Sequence, residues 1–315
     1  LIMFKEYNFN LNKKKIWVAG HNGMVGRAIM KKLLCRKLNV LTVDKSDIDL
    51  TNQNQTFNWV KTNLPQVIFM AAAKVGGILA NSMNQAEFLY QNLMIQSNII
   101  RSAAENNVEK LIFMGSSCIY PKEAEQPIKE KELLCKPLEE TNEGYAIAKI
   151  AGLKLCSYLF KEHKKDFITI MPTNLYGPHD NYDLETSHVL AALINKITFA
   201  KKYKKESVEI WGTGKPKRDF LHVDDLADAV CFLAENYSSS EPINVGSSKE
   251  ISIKELAETI AKLVGWEGRL SFNKEMPDGT MLKRLDTTKI NKLGWQPKID
   301  IITGIKKTLK EYKEL

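Results

Sequence analysis

Apolar residues in the first half of the chain fall into short continuous blocks. Between the blocks, apolar positions recur every three or four residues. The blocks at 16–19, 40–43, 67–71, 111–115 and 167–171 predict buried strands, and the stretches 24–37, 53–62, 85–106 and 145–163 predict amphipathic helices. Strands alternating with helices at this spacing require parallel pairing with right-handed crossovers. The expected fold is therefore α/β, a doubly wound parallel sheet.

Beyond Pro172 the alternation loosens. Stretches 176–185, 212–218 and 274–280 carry Gly, Pro, Asn and Asp and predict loops, with Arg218 in the loop before Phe220. A helix over 220–236 followed by a strand at 243–246 is expected to rejoin the main sheet. Ser252 and Glu255 form a capping box opening a helix over 253–265. The expected organisation is a dinucleotide-binding domain over 12–172, with 219–248 returning to it. A smaller interleaved C-terminal substrate domain is built from 173–218 and 249–315.

The first strand runs into IWVAGHNGMVG, which sets Gly20, Gly23 and Gly26 between a strand and a helix. Gly20 and Gly23 allow a tight turn and close approach to a pyrophosphate, and Gly26 allows helix and strand to pack. The N-terminal amides of the helix then face the phosphates, as in Rossmann-type folds. Asp44, expected at the end of the second strand, suits the ribose hydroxyl of NAD. Lys45 beside it suits the 2′-phosphate of NADP, so these two residues leave the choice of dinucleotide open.

Tyr145 and Lys149 stand four apart on one helical face. A phenol with an ordinary pKa of about 10 is a poor acid–base group at neutral pH. A neighbouring ammonium and an oxidised nicotinamide both favour phenolate and bring it into range. The hydroxyls of Gly115-Ser116-Ser117, at a strand end, can polarise the same substrate oxygen. A Tyr-x-x-x-Lys pair is common by chance, but downstream of this glycine loop and Ser pair it points to a short-chain dehydrogenase/reductase.

Composition narrows the partners. The 315 residues carry a formal charge of +8, but only six of the cations are Arg, and the Lys are spread through the chain. No basic run interleaves with aromatics, so no nucleic-acid partner is expected; the excess Lys reads first as a compositional bias, with attraction of small polyanions as the alternative. No apolar run reaches membrane-spanning length and no signal-peptide pattern is present. Five cysteines (Cys35, Cys118, Cys135, Cys156 and Cys231) are scattered without metal-ligand spacing, which predicts a reduced cytoplasmic protein without a metal.

GHNGMVG, AAAKVGGI, YQNLMIQSNII, GSSCIYP, TNEGYAIAKIAGLKLC, MPTNLYGPHDNY, SHV, WGTG, RDFLHVDD, INVG and PDGT follow in this order. The set resembles the GDP-L-fucose synthases, of the extended short-chain dehydrogenase/reductase group, over essentially the whole chain from Lys15. The resemblance implies NADPH-dependent conversion of GDP-4-keto-6-deoxy-D-mannose by 3,5-epimerisation and then reduction at C4. It implies Ser116, Tyr145 and Lys149 at the reduction centre, with Cys118 and His188 moving protons on and off carbon. It implies NADP(H) held by Gly20, His21, Asn22, Gly23, Met24, Val25, Gly26, Asp44 and Lys45, with Ser116, Lys149, Pro172, Asn174, Leu175 and His188 completing the contacts. For the GDP-sugar it implies Asn174, Lys196, Trp211, Arg218 and Asp278, and for assembly a homodimer through a four-helix interface.

Some residues depart from the pattern. Lys196 stands where Arg is frequent in the family. Asp44 and Asn22 stand where basic residues occur in relatives, so NAD stays open as an alternative to NADP. Three other functions compete. A 4,6-dehydratase needs a carboxylic acid where this chain has Cys118-Ile119. A plain 4-reductase needs neither Cys118 nor His188. A non-catalytic dinucleotide-binding protein needs no Ser, Tyr and Lys set.

Overall fold

The computed structural model describes residues 7–276 and 278–312; Pro277, in the PDGT loop, lies outside the described residues. Five strands, β1 (Lys15–Ala19), β2 (Asn39–Leu41), β3 (Val67–Met70), β4 (Lys110–Met114) and β5 (Asp166–Pro172), alternate with helices. The helices are α1 (Met24–Cys35), α2 (Gln53–Asn63), α3 (Ile78–Met83), α4 (Gln85–Glu105) and α5 (Glu143–His163). Then follow β6 (Asn174–Tyr176), α6 (Val189–Lys202), β7 (Ser207–Trp211), β8 (Lys217–His222), α7 (Val223–Asn236) and β9 (Ile243–Val245). The chain finishes through β10 (Glu250–Ser252), α8 (Ile253–Val264), β11 (Arg269–Asn273), β12 (Leu282–Lys283), α9 (Thr288–Lys292) and α10 (Ile301–Tyr312).

The main sheet has six parallel strands in the order β2-β1-β3-β4-β5-β9. This is the doubly wound sheet expected from the alternation. Every residue of β3 and β4 is buried, because helices cover both faces and the strands are apolar apart from Lys110, whose ammonium pairs with Asp166 at 2.9 Å. On one face α1 and α7 pack around Ile29, Leu33, Leu226 and Val230. On the other, Ile99, Ile100, Leu153 and Cys156 of α4 and α5 pack on Trp17, Ile68 and Phe113. The strand order reverses between β1 and β3, which opens a crevice at the carboxyl ends of the strands.

A third core belongs to the C-terminal residues, where α6, α8 and α10 enclose Leu193, Ile197, Leu256, Ile260 and Ile305. Here β8 pairs with β6, β10 and β12, and β7 pairs with β11. The Ser252–Glu255 capping box opens α8, with hydrogen bonds of 3.0 and 3.1 Å in the two directions.

Two local expectations are corrected. The second strand ends at Leu41, because its pairing with β1 stops at Trp17↔Leu41, so Asp44 lies in the following turn and not at the strand end. Arg218 is not in a loop. It pairs with Ile251 of β10 on one side and Lys283 of β12 on the other, so its backbone is fixed within a sheet.

Candidate active site

Two elements at the carboxyl edge of the sheet carry the proton-handling groups. Helix α5 is held against α4 by Gln96, whose amide donates to the Ala148 carbonyl, and by Gln85, which accepts from the Gly144 amide at 3.0 Å. The clamp fixes the rotation of the face bearing Tyr145 and Lys149. Lys149 Nζ stands 5.8 Å from the centre of the Tyr145 ring and donates to the Met114 carbonyl at 2.8 Å. Burial pushes this ammonium down to about 8. Burial also raises the Tyr145 phenol, with the Cys118 sulfur adding to the rise and a hydrogen bond with Ser116 opposing it. In the free protein the phenol is therefore a proton donor at neutral pH.

Strand β4 ends just before Gly115-Ser116. The Ser116 hydroxyl accepts from the Cys118 amide at 3.1 Å and opens a short 3₁₀ turn over Ser117–Ile119. Ser116 and Cys118 are thus locked in one local structure. Cys118 is a free, half-buried thiol, and its sulfur lies 3.6 Å from Lys283 Nζ. His188 is the N-cap residue of α6. The residue keeps an exposed surface, yet enough protein surrounds its ring to hold the imidazole below its usual value. The Lys283 ammonium adds to that depression.

Arg218 and Asp278 border this centre. Burial lowers the Arg218 guanidinium, while the charges of Cys118 and Asp278 act in the opposite direction. Arg218 donates to the carbonyls of Lys217 and Thr280, so its planar fork is pre-aimed. Both Asp278 oxygens brace the turn after Trp211, accepting from the amide and hydroxyl of Thr213 at 2.8 and 2.7 Å. Trp211 keeps 50% of its surface exposed, with Lys196 Nζ 5.8 Å from its ring centre. Lys196 donates to the Glu209 carbonyl, and burial lowers its ammonium. Asn174, at the head of β6, donates to the Asp219 carbonyl at 2.9 Å. Leu175 follows it in β6, and Pro172 ends β5 beside Val245.

The glycine loop fits a dinucleotide. Gly20 adopts φ +83°, and a Cβ there would meet Ala72 at 2.6 Å. A Cβ on Gly26 would come within 2.1 Å of the Gly20 carbonyl, so loop and helix are in contact at that point. Gly23 faces open space, with nothing closer than 3.7 Å to a built Cβ. It caps α1 without a side-chain hydrogen bond, so the amides of Met24, Val25 and Gly26 start the helix with no side-chain acceptor. Space plus unclaimed donors at a helix N-terminus is a seat for phosphate. Asp44 is drawn back to this loop by Asn22 Nδ2 at 2.7 Å and His21 Nε2 at 3.4 Å, while Lys45 is exposed.

The structure thus brings Ser116, Cys118, Tyr145, Lys149 and His188 to one edge, with Arg218 and Asp278 beside them. Trp211 and Lys196 form a flank farther along the C-terminal lobe. Sequence reasoning missed Lys283. Its strand has two residues, too few for any periodicity, and its contact with Cys118 spans 165 positions.

Residues 16–246 match the NAD dependent epimerase/dehydratase family. A GDP-L-fucose synthase of Sinorhizobium fredii is 48% identical over 302 residues, covering 96% of each chain. Among solved structures, a GDP-6-OMe-4-keto-L-xylo-heptose reductase from C. jejuni aligns with a TM-score of 0.92 at 35% identity, covering 98% of this chain and 99% of that one. A GDP-L-fucose synthetase from Naegleria fowleri bound to NADP aligns at 0.89 with 27% identity, covering 98% and 97%.

Proposed function

The chain belongs to the NAD dependent epimerase/dehydratase family and, within it, to the GDP-L-fucose synthases, and from that membership we propose the following chemistry for its site. The protein converts GDP-4-keto-6-deoxy-D-mannose to GDP-L-fucose, with NADP(H) as cofactor. When bound, NADPH supplies the hydride that reduces C4. Everything else falls to the side chains.

The C4 ketone acidifies the hydrogens at C3 and C5. Cys118 removes such a proton as thiolate, and the electron pair of the C–H bond passes to the C4 oxygen. Ser116 and Tyr145 hold that oxygen as it becomes an enolate. His188 returns a proton to the opposite face of the carbon, inverting it. After both centres invert, Tyr145 gives its proton to the C4 oxygen during reduction, and Lys149 stabilises the phenolate left behind. One oxygen is therefore held by the same hydroxyl groups through both stages. Arg218 takes the diphosphate, with Lys196 as a point charge beside it. Trp211 stacks on the guanosine, and Asn174 and Asp278 border the sugar.

The observation that carries this reading is the convergence of a thiol and an imidazole on the Ser116–Tyr145–Lys149 centre. A plain C4 reductase would need neither group. A dehydratase would need a carboxylic acid where Cys118 stands. The test supplies the keto sugar and NADPH and identifies the product by magnetic resonance. GDP-L-fucose supports the proposal, and a C4-reduced sugar with C3 and C5 uninverted refutes it.

Among the described residues no helix is long and apolar enough to cross a membrane. We place the protein in the cytoplasm as a homodimer through α4 and α5. That face leaves Tyr90, Ile147 and Tyr158 exposed at 60%, 43% and 51%, which suits a second copy.

A further inference from the structure

Lys283 has no part in the chemistry derived above, yet its ammonium lies 3.6 Å from the Cys118 sulfur. The lysine is held rigidly. Strand β12 pairs with Lys217 and Arg218 of β8. The residues that follow are stitched to the segment downstream of Cys118: Ile128 N donates to Arg284 O at 2.8 Å, Asp286 N to Ile128 O at 2.8 Å, and Arg284 N to the Gln126 side chain at 3.0 Å. The loop bearing the thiol and the strand bearing the cation are therefore one structural unit. Lys283 itself is half-buried, so its charge is only partly screened by water.

We propose that Lys283 is the positioning cation of the epimerisation step, pairing with the Cys118 sulfur as it acts as the thiolate base. A thiol is a carbon base only as its anion, and an ammonium in contact stabilises that anion. The other groups facing Cys118 are the Tyr145 phenol, neutral at working pH, the Ser116 hydroxyl, and the Arg218 guanidinium. Arg218 is committed to two backbone carbonyls and, in the reading proposed above, to the diphosphate. Its register partner Lys283 is left as the cation for sulfur. The pair is a property of the free protein; its role in proton transfer rests on the epimerase reading above.

The two layers separate in one experiment. The intact protein is treated with iodoacetamide across pH, and each cysteine is followed by peptide mass spectrometry. Cys35 and Cys135 are exposed and serve as references, while Cys156 and Cys231 are buried and report unfolding. Wild-type Cys118 should become reactive at lower pH than both references. Lys283→Met should slow Cys118 alkylation near neutral pH by about tenfold, with Lys283→Arg restoring most of it. Deuterium exchange into the keto sugar should fall with it. If Cys118 titrates in step with Cys35 and Cys135 in the wild type, the ion pair is overturned, even should the Met variant unfold. If alkylation slows but exchange does not, the pair stands and its role in proton transfer is overturned.

Discussion

Replacing Lys149 by methionine should make the cofactor-free protein more stable and nearly inactive. The ammonium is buried at 3% exposure, and burial lowers it from 10.5 to about 8. The unfolded chain therefore binds its proton more tightly than the folded one. The difference costs the folded state roughly 3 kcal/mol at neutral pH, where both forms are charged. Methionine keeps the stem packed near Phe113 and carries no charge. It also leaves the Met114 carbonyl without its 2.8 Å donor, which costs about 1–2 kcal/mol. The net gain expected at neutral pH is about 1–2 kcal/mol.

The sign of the pH dependence follows. Between about 8 and 10 the folded lysine has lost its proton while the unfolded one keeps it, so wild-type stability rises with pH. Lys110, also lowered to about 8 by burial, contributes to the same rise and is present in both proteins. The variant-minus-wild-type difference removes it, and that difference should shrink toward alkaline pH. Above this window the buried tyrosines, Tyr145 and Tyr176 among them, are raised and reverse the trend, which sets the upper limit of the measurement. Urea unfolding at several pH values gives the difference directly. The reasoning is refuted if Lys149→Met is less stable than wild type at neutral pH and the gap does not change with pH.

Other substitutions separate the parts of the site. Tyr145→Phe removes the donor to the C4 oxygen and should lower NADPH oxidation by about 10²–10⁴-fold, with NADPH binding, followed by fluorescence, preserved. Gly26→Ala drives a Cβ to 2.1 Å from the Gly20 carbonyl and should cost about 1–3 kcal/mol in thermal or urea unfolding, together with cofactor affinity. Gly23→Ala, with no atom closer than 3.7 Å, should stay within about 1 kcal/mol of wild type and lose cofactor affinity alone. Arg218→Lys replaces a fork by a point charge and should raise KM for the GDP-sugar by about tenfold with a smaller change in kcat.

The main sheet was legible because its strands are buried on both faces, so 67–70 and 111–114 are unbroken apolar runs that no exposed strand would tolerate. The Tyr145–Lys149 face was legible because helical spacing fixes it. In the C-terminal lobe α8 was legible from its capping box, but the strands were not. These strands are short and paired across long separations: β12 has two residues, and β8 carries Lys217 and Arg218 just after Gly212, Gly214 and Pro216, which suggest a loop. Lys283 shows the physical limit most clearly, since its partner is set by tertiary pairing and by no local pattern. Asp44 shows another. The sequence puts it near the second strand, but its bond to Asn22 depends on how the glycine loop turns.

The most direct test of the central claim is the reaction run in deuterated water with NADPH and GDP-4-keto-6-deoxy-D-mannose. The account predicts GDP-L-fucose carrying solvent deuterium at both C3 and C5, and exchange at those carbons that persists without NADPH and is lost in Cys118→Ser. A reduced product with no deuterium at either carbon would contradict it, leaving a C4 reductase in which Cys118 and His188 are bystanders.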